Sequence, residues 1–152
     1  MLTSINKIAG NYVNRSRTSM LYDLTVGVHK GTLSKKTGTR AHVLVFRLST
    51  ALMKMAGFLS GDRVEILFDE TDGTATGGII TRNGDGYSLT PTGNNYQGSR
   101  NSPEKSPVAS NVGFTLRKGM PFVPRTGGAT ELTVDPGKVN FTFPEGTTIY
   151  DG

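Results

Sequence analysis

The chain has 152 residues, of which 35% are hydrophobic, 20 are glycine, 7 are proline and none is cysteine. This composition excludes a disulfide framework and a thiolate metal site, and it disfavours a helical bundle. The net charge of +5 comes from one end, because residues 1–60 carry nine Lys or Arg and one acid, whereas residues 61–152 carry eight bases and eleven acids.

The first third of the chain passes from a polar segment into strands. Residues 1–20 show no clean hydrophobic period, and we predict a flexible basic leader there. We predict a β-rich core with one short helix over residues 21–90. Within it, apolar and polar side chains alternate over residues 21–30, and a dense apolar run follows at residues 42–48. Both patterns predict strands.

One short helix is predicted at about residues 50–57. Ser49 or Thr50 can cap its first turn, good helix formers follow, and Gly57 ends the run. Further strands are predicted at residues 63–68, 77–82 and 87–90. The sequence Asn-Gly-Asp-Gly at residues 83–86 predicts a hairpin between the last two.

The second half of the chain is less regular. Residues 91–110 are rich in Pro, Gly, Asn and Ser and predict a flexible loop or linker. Residues 111–152 predict a C-terminal β-hairpin region that belongs either to the same domain or to a small second unit. The fold expected from the whole chain is mainly β, a small barrel or sandwich of about seven strands with one short helix.

One block resembles a known family. In residues 43–68, VLVFRLSTALMKMAGFLSGDRVEILF, a strand ends in Phe-Arg-Leu-Ser, a short helix follows, and Gly-Asp-Arg-Val-Glu-Ile enters the next strand. This order resembles the core of the AbrB/MazE-type swapped-hairpin DNA-binding domains. The resemblance implies a dimer with interleaved hairpins, in which basic residues on the N-terminal strands contact the phosphate backbone of DNA.

Basic residues of the N-terminal half are the candidate nucleic-acid contacts. One group lies on the first predicted hairpin and its loop, and two more bases lie on the leader, where an arm reaches a DNA groove in other proteins. The candidates are Arg15, Arg17, Lys30, Lys35, Lys36, Arg40 and Arg47. The alternatives are ordinary surface charge on a solvated loop and a disordered tail.

The sequence offers little for catalysis or metal binding. His29 and His42 lie on adjacent predicted strands but have no acid near them in sequence, and two ligands make a weak metal site. Asp69, Glu70 and Asp72 lack the full calcium-loop pattern. We therefore expect no enzyme activity, no catalytic residue, no metal and no cofactor.

These observations favour a small bacterial or phage-type DNA-binding regulator that acts as a homodimer through its basic N-terminal half. The alternative is a phage-type accessory protein that binds and inhibits a host protein, or a small virion component. No segment has the length and hydrophobicity of a membrane span or a signal peptide, so a cytoplasmic protein with no membrane partner is expected.

Overall fold

The computed structural model describes residues 2–9, 24–33, 38, 40–59, 61–96, 105–124, 128–129 and 131–151. Within these residues the chain forms thirteen strands and two short helices. The strands are β1 (Leu2–Ser4), β2 (Leu24–Leu33), β3 (Arg40–Ser49), β4 (Arg63–Thr71), β5 (Thr74–Arg82), β6 (Tyr87–Ser88), β7 (Thr90–Tyr96), β8 (Lys105–Thr115), β9 (Pro121–Phe122), β10 (Gly128–Ala129), β11 (Leu132–Asp135), β12 (Lys138–Thr142) and β13 (Thr148–Ile149). The helices are α1 (Ile5–Ala9) and α2 (Thr50–Ala56).

The strands form two antiparallel sheets. The larger has the order β1-β4-β5-β12-β11, with β6 beside β4, and β13 beside β5 and β9. The smaller has the order β10-β2-β3-β8-β7. Over the described residues, neither sheet closes into a barrel. The prediction of a small, mainly β fold with a short helix is confirmed, and several of the strands beyond the seven expected have only two residues.

The two sheets share one hydrophobic core. Phe46 of β3, in the smaller sheet, packs edge-to-face on Phe141 and Phe143 at centroid distances of 5.8 and 6.3 Å. Edge-to-face packing is a favourable arrangement for aromatic rings. Residues from the N-terminal strands and from the C-terminal region therefore contribute to the same cluster.

Helix α2 begins and ends where the sequence predicts. The Ser49 side chain accepts a hydrogen bond from the Leu52 N–H at 3.0 Å, and Gly57 adopts the left-handed conformation with φ 74°. Leu52, Met53 and Ala56 are buried against the core. No helix among the described residues is long and apolar enough to cross a membrane.

The structure differs from the prediction of a flexible leader over residues 1–20. Residues 2–4 form β1, which pairs with β4, and Ile5 of α1 is fully buried in the core. Residues 10–20 lie outside the described part of the chain. Asn6 in this segment is hydrogen-bonded to the backbone of Val64 and Ile66, about 60 positions away in the chain. The segment 2–9 is therefore held by a distant strand, which a search for a local hydrophobic period does not detect.

Residues 91–110 also differ from the predicted loop or linker. Thr90–Tyr96 form β7 and Lys105–Thr115 form β8, which pair with each other; residues 97–104 are outside the described range. Proline is tolerated on an edge strand because it has no N–H to donate. Pro91 lies on the edge strand β7, and Pro107 lies beyond the β3–β8 pairing, which ends at Ala109.

The hairpin predicted at residues 83–86 is wrong. β6 does not return beside β5; it crosses to the other side of β4, where Tyr87 pairs with Val64. Tyr87 then stacks on Phe114 of the smaller sheet at 5.2 Å. Asn83 makes the turn, because its side-chain oxygen accepts a hydrogen bond from the Asp85 N–H. Packing between the sheets, rather than turn chemistry alone, decides the direction of this strand.

Candidate nucleic-acid interface

The excess of basic residues in the N-terminal part of the sequence corresponds to an excess of basic residues in the smaller sheet. In the smaller sheet the described strands carry four bases and no acid; the bases are Lys30, Arg40, Arg47 and Lys105. The strands of the larger sheet carry three bases and four acids, namely Arg63, Arg82, Lys138, Glu65, Asp69, Glu70 and Asp135. The smaller sheet is therefore the basic part of the fold.

Strands β2 and β3 form a long hairpin whose far end extends past the rest of the sheet. The pairing runs from Leu24–Leu48 to Lys30–His42, then shifts at a bulge and resumes at Leu33–Arg40. β8 pairs with β3 only as far as Val43, and β10 pairs with β2 only near its start. Beyond His42 the described pairing is therefore a two-stranded ribbon, which we call the β2–β3 tip (residues 30–42).

Two of the seven candidate contacts, Lys30 and Arg40, lie at described positions of the β2–β3 tip. By backbone position, Lys30 lies opposite His42, and Arg40 lies opposite Leu33. Lys35 and Lys36 fall between the two strands in sequence and are outside the described residues. Arg15 and Arg17 are outside the described residues as well. The structure thus brings Lys30 and Arg40 to the same end of one hairpin.

Arg47 lies away from the tip, at the centre of the smaller sheet. It faces Thr25 on one side and Asn111 on the other, and only 4% of it is exposed. Burial lowers the pKa of its guanidinium. A group so buried has no surface to offer a phosphate, so Arg47 is not a candidate contact in this fold. The apolar run in β3 indicates a strand buried on both faces, and this is the sequence signal that separates Arg47 from the other bases.

The two histidines do not come together. His29 pairs with Val43, and His42 pairs with Lys30, so the two imidazoles lie on opposite faces of the hairpin. His29 is on the same face as Arg47. Burial first, and then the positive charge of Arg47, lower the pKa of His29. Across the described residues no three His, Cys, Asp or Glu side chains are grouped to hold a metal ion.

A polar depression lies on the larger sheet, where sequence reasoning predicted no site. It has a volume of about 370 Å³ and is lined by Asn6, Lys7, Glu65, Asn83, Asp85, Gly86 and Tyr87. The Glu65 carboxylate accepts hydrogen bonds from the Ser4 hydroxyl at 2.6 Å and from the Asn83 amide at 3.2 Å. These bonds tie β1 and the 83–86 turn to β4, so the carboxylate links three parts of the fold.

No protein-family model, curated protein or solved structure matches this chain. Its function is therefore inferred from the placement of its own residues.

Proposed function

We propose that this protein is a DNA-binding regulator of the bacterial or phage type, which contacts duplex DNA with the β2–β3 tip. The observation that carries the proposal is the shape and charge of that tip, a two-stranded ribbon in a basic sheet. The major groove of B-DNA, about 12 Å wide, admits a two-stranded β-ribbon.

The charge around the tip supports a polyanionic partner. Residues 24–61 contain six Lys or Arg and no Asp or Glu. In sequence, residues 30–42 contain four of these bases, Lys30, Lys35, Lys36 and Arg40. Lysine and arginine that neutralise phosphates release condensed counterions, and the binding they provide tolerates many base sequences and weakens steeply with salt. Arg15 and Arg17 supply further contacts if the segment that carries them acts as an arm.

The resemblance of residues 43–68 to the AbrB/MazE-type domains supports the same function. That segment runs through β3, α2 and β4, the strand-helix-strand order that the resemblance implies. In that family a homodimer presents basic residues of the N-terminal strands to the phosphate backbone. The tip lies on the N-terminal strands of this chain, and we include the homodimer in the proposal.

Titration of labelled duplex DNA by fluorescence anisotropy, at about 50 and about 200 mM salt, tests the proposal. We expect binding that collapses at the higher salt. The variant Lys35→Ala/Lys36→Ala should bind more weakly. Its salt slope should be smaller by about 0.9 for each phosphate that the variant no longer neutralises.

A matched control removes two bases from elsewhere. Lys118 and Lys138 are exposed, and Lys138 lies on the larger sheet. The variant Lys118→Ala/Lys138→Ala has the same net charge as the tip variant and should keep the wild-type salt slope. Equal weakening in both variants would mean that net charge alone attracts DNA, and absence of binding at both salt concentrations would remove the proposal.

One observation favours the alternative, a phage-type accessory protein that binds a host protein or a small virion component. Met55 and Leu59 are 58% and 72% exposed, and large apolar side chains at the surface favour protein contacts. A protein of that kind would show no salt-dependent affinity for DNA in the titration above.

A further inference from the structure

Asn83 and Gly84 form an accessible step at the start of the 83–86 turn. Asn83 is half-buried, and Gly84 and Asp85 are exposed. Asn83 is also the only asparagine in the sequence that precedes a glycine. A Cβ at Gly84 would meet no atom within 4 Å, so the space beside its backbone is open. Water therefore reaches this step of the chain.

Two hydrogen bonds orient the side-chain amide of Asn83. Its Oδ1 accepts from the Asp85 N–H at 2.9 Å, and this bond folds the side chain back over the peptide that joins Asn83 to Gly84. Its Nδ2 donates to the Glu65 carboxylate at 3.2 Å. The Asp85 N–H is thus placed to stabilise negative charge on Oδ1, as the donors of an oxyanion hole do. The Cγ atom of Asn83 is therefore prepared for attack by a neighbouring nucleophile.

We propose that Asn83 is a site of spontaneous deamidation, in which the backbone nitrogen of Gly84 is the nucleophile. Hydroxide takes the proton of the Gly84 N–H, and the nitrogen forms a bond to Cγ of Asn83. The bond from Cγ to Nδ2 then breaks, and the amide leaves as ammonia with a proton from water. Water opens the resulting succinimide ring, which leaves a carboxylate at position 83 on either a normal or an isoaspartyl backbone. Glycine favours the cyclisation, because it has no side chain to obstruct the attacking nitrogen.

The carboxylate that this reaction creates would face an existing one. Glu65 accepts a hydrogen bond from the amide of Asn83, whereas a carboxylate at position 83 has no proton to donate. Two carboxylates at this separation repel each other, and Asp85 adds a third negative charge to the same turn. Lys7 lines the same depression but is exposed, so it offsets the repulsion only weakly. Deamidation therefore turns an attractive contact between the turn and β4 into a repulsive one.

The affected carboxylate supports more than the turn. The other oxygen of Glu65 accepts from the Ser4 hydroxyl at 2.6 Å, and this bond fastens β1 to β4. An isoaspartyl linkage also lengthens the backbone within the turn that leads to β6. Deamidation is therefore an irreversible, time-dependent change in how firmly β1 and β6 are held beside β4. This inference does not depend on DNA binding.

Peptide mapping by mass spectrometry, on full-length protein aged in mildly alkaline buffer, tests the reaction. Asn83 should convert progressively to a mixture of aspartate and isoaspartate, and a protein isoaspartyl methyltransferase detects the second product. Gly84→Ala is the matched variant, because a Cβ fits at this position but gives the attacking nitrogen a bulkier neighbour. This variant should deamidate at Asn83 at least severalfold more slowly than the wild type.

A synthetic peptide of residues 79–90 gives the rate of the reaction without the fold. The native protein should deamidate at least as fast as the peptide, because the turn leaves Gly84 open and supplies the Asp85 N–H to Oδ1. Native protein that keeps Asn83 intact while the peptide deamidates would overturn the proposal. An unchanged rate in Gly84→Ala would overturn it as well.

Asn83→Asp tests the structural consequence, since it reproduces the charge of the product. Its melting temperature should fall by about 5 °C. Asn140→Asp is the control, because the Asn140 amide also donates to a carboxylate, that of Asp135, but at 3.4 Å and at an exposed position. That control should melt close to the wild type.

An exchange of the two groups tests the contact itself. Glu65→Gln/Asn83→Asp should recover most of the lost melting temperature, because an amide again faces a carboxylate. If Asn83→Asp melts with the wild type, or if the double variant recovers nothing, the contact with Glu65 does not carry the consequence and that part of the proposal is wrong. No DNA is present in these experiments, so failure of the DNA-binding proposal would leave their results unchanged.

Discussion

The side chain of Asn6 binds the backbone of Ile66 in the place of a neighbouring strand. Its Oδ1 accepts a hydrogen bond from the Ile66 N–H at 2.7 Å, and its Nδ2 donates to the Val64 carbonyl at 3.0 Å. The backbone pairing of β1 with β4 stops at Ser4. One amide side chain therefore continues the hydrogen-bond ladder after the chain has turned into α1.

Asn6→Ala should lower the free energy of unfolding by about 1–3 kcal/mol, because it leaves an N–H and a carbonyl of β4 without their partner. Urea unfolding measures the change. Asn140→Ala is the control, since the hydrogen bond of the Asn140 amide to Asp135 is long, at 3.4 Å, and exposed. That variant should stay within about 0.5 kcal/mol of the wild type. Equal effects at the two positions would show that Asn6 does not hold β1 to the sheet.

Substitution by alanine should destabilise the protein at one glycine of the 83–86 turn and have little effect at another. A Cβ at Gly86 would overlap the Val64 carbonyl, with 2.6 Å to its carbon, whereas a Cβ at Gly84 would meet no atom within 4 Å. Because the obstacle is backbone, Gly86→Ala should cost at least about 2 kcal/mol. Gly84→Ala should be close to neutral. Thermal unfolding of both variants checks this, and comparable melting temperatures would contradict the crossing of β6 beside Val64.

The sequence predicts elements whose ends are fixed by residues within or next to the element itself. The Ser49 cap and the Gly57 end of α2 are visible in the sequence, and so is the C-terminal hairpin region, in which β11 pairs with β12. The strand β1 and the pairing of β6 with β4 do not follow from local sequence, because each depends on contacts with distant parts of the chain. Hydrophobic periodicity uses only residues that are close in sequence, so it does not predict contacts between distant segments.

The sequence likewise predicts one part of the candidate nucleic-acid interface and not another. The basic character of the first hairpin follows from composition, and the backbone pairing that sets Lys30 opposite His42 agrees with the predicted strands. The burial of Arg47 does not follow from its charge, which ordinarily indicates an exposed residue. It depends on β8, whose Asn111 lies beside Arg47 and whose strand begins within the segment expected to be a linker.

Arg47→Met should leave the salt dependence of DNA binding unchanged. A side chain that is 4% exposed is not available to a phosphate, so its removal changes no counterion release. Methionine keeps most of the volume, so the core should tolerate the change, which a thermal melt verifies. A salt slope reduced in Arg47→Met as much as in the Lys35/Lys36 variant would place Arg47 at the DNA surface and contradict its position in β3.

His29 should make the protein less stable in mild acid. Burial, and then the charge of Arg47, lower the pKa of His29 in the folded state. The unfolded chain keeps a histidine pKa of about 6.5, so below that pH it binds more protons than the folded state. Stability therefore falls as the pH decreases through about 6.5, and the decline levels off below the folded-state pKa.

The neutral variant His29→Gln should lose less stability than the wild type between about pH 7.5 and pH 5.5, as judged from urea midpoints at each pH. In Arg47→Met the acid destabilisation should shrink but persist, because burial is the larger of the two causes. If His29→Gln and the wild type are destabilised equally over this range, His29 is not responsible for the effect. If Arg47→Met abolishes the effect, charge rather than burial sets the pKa of His29.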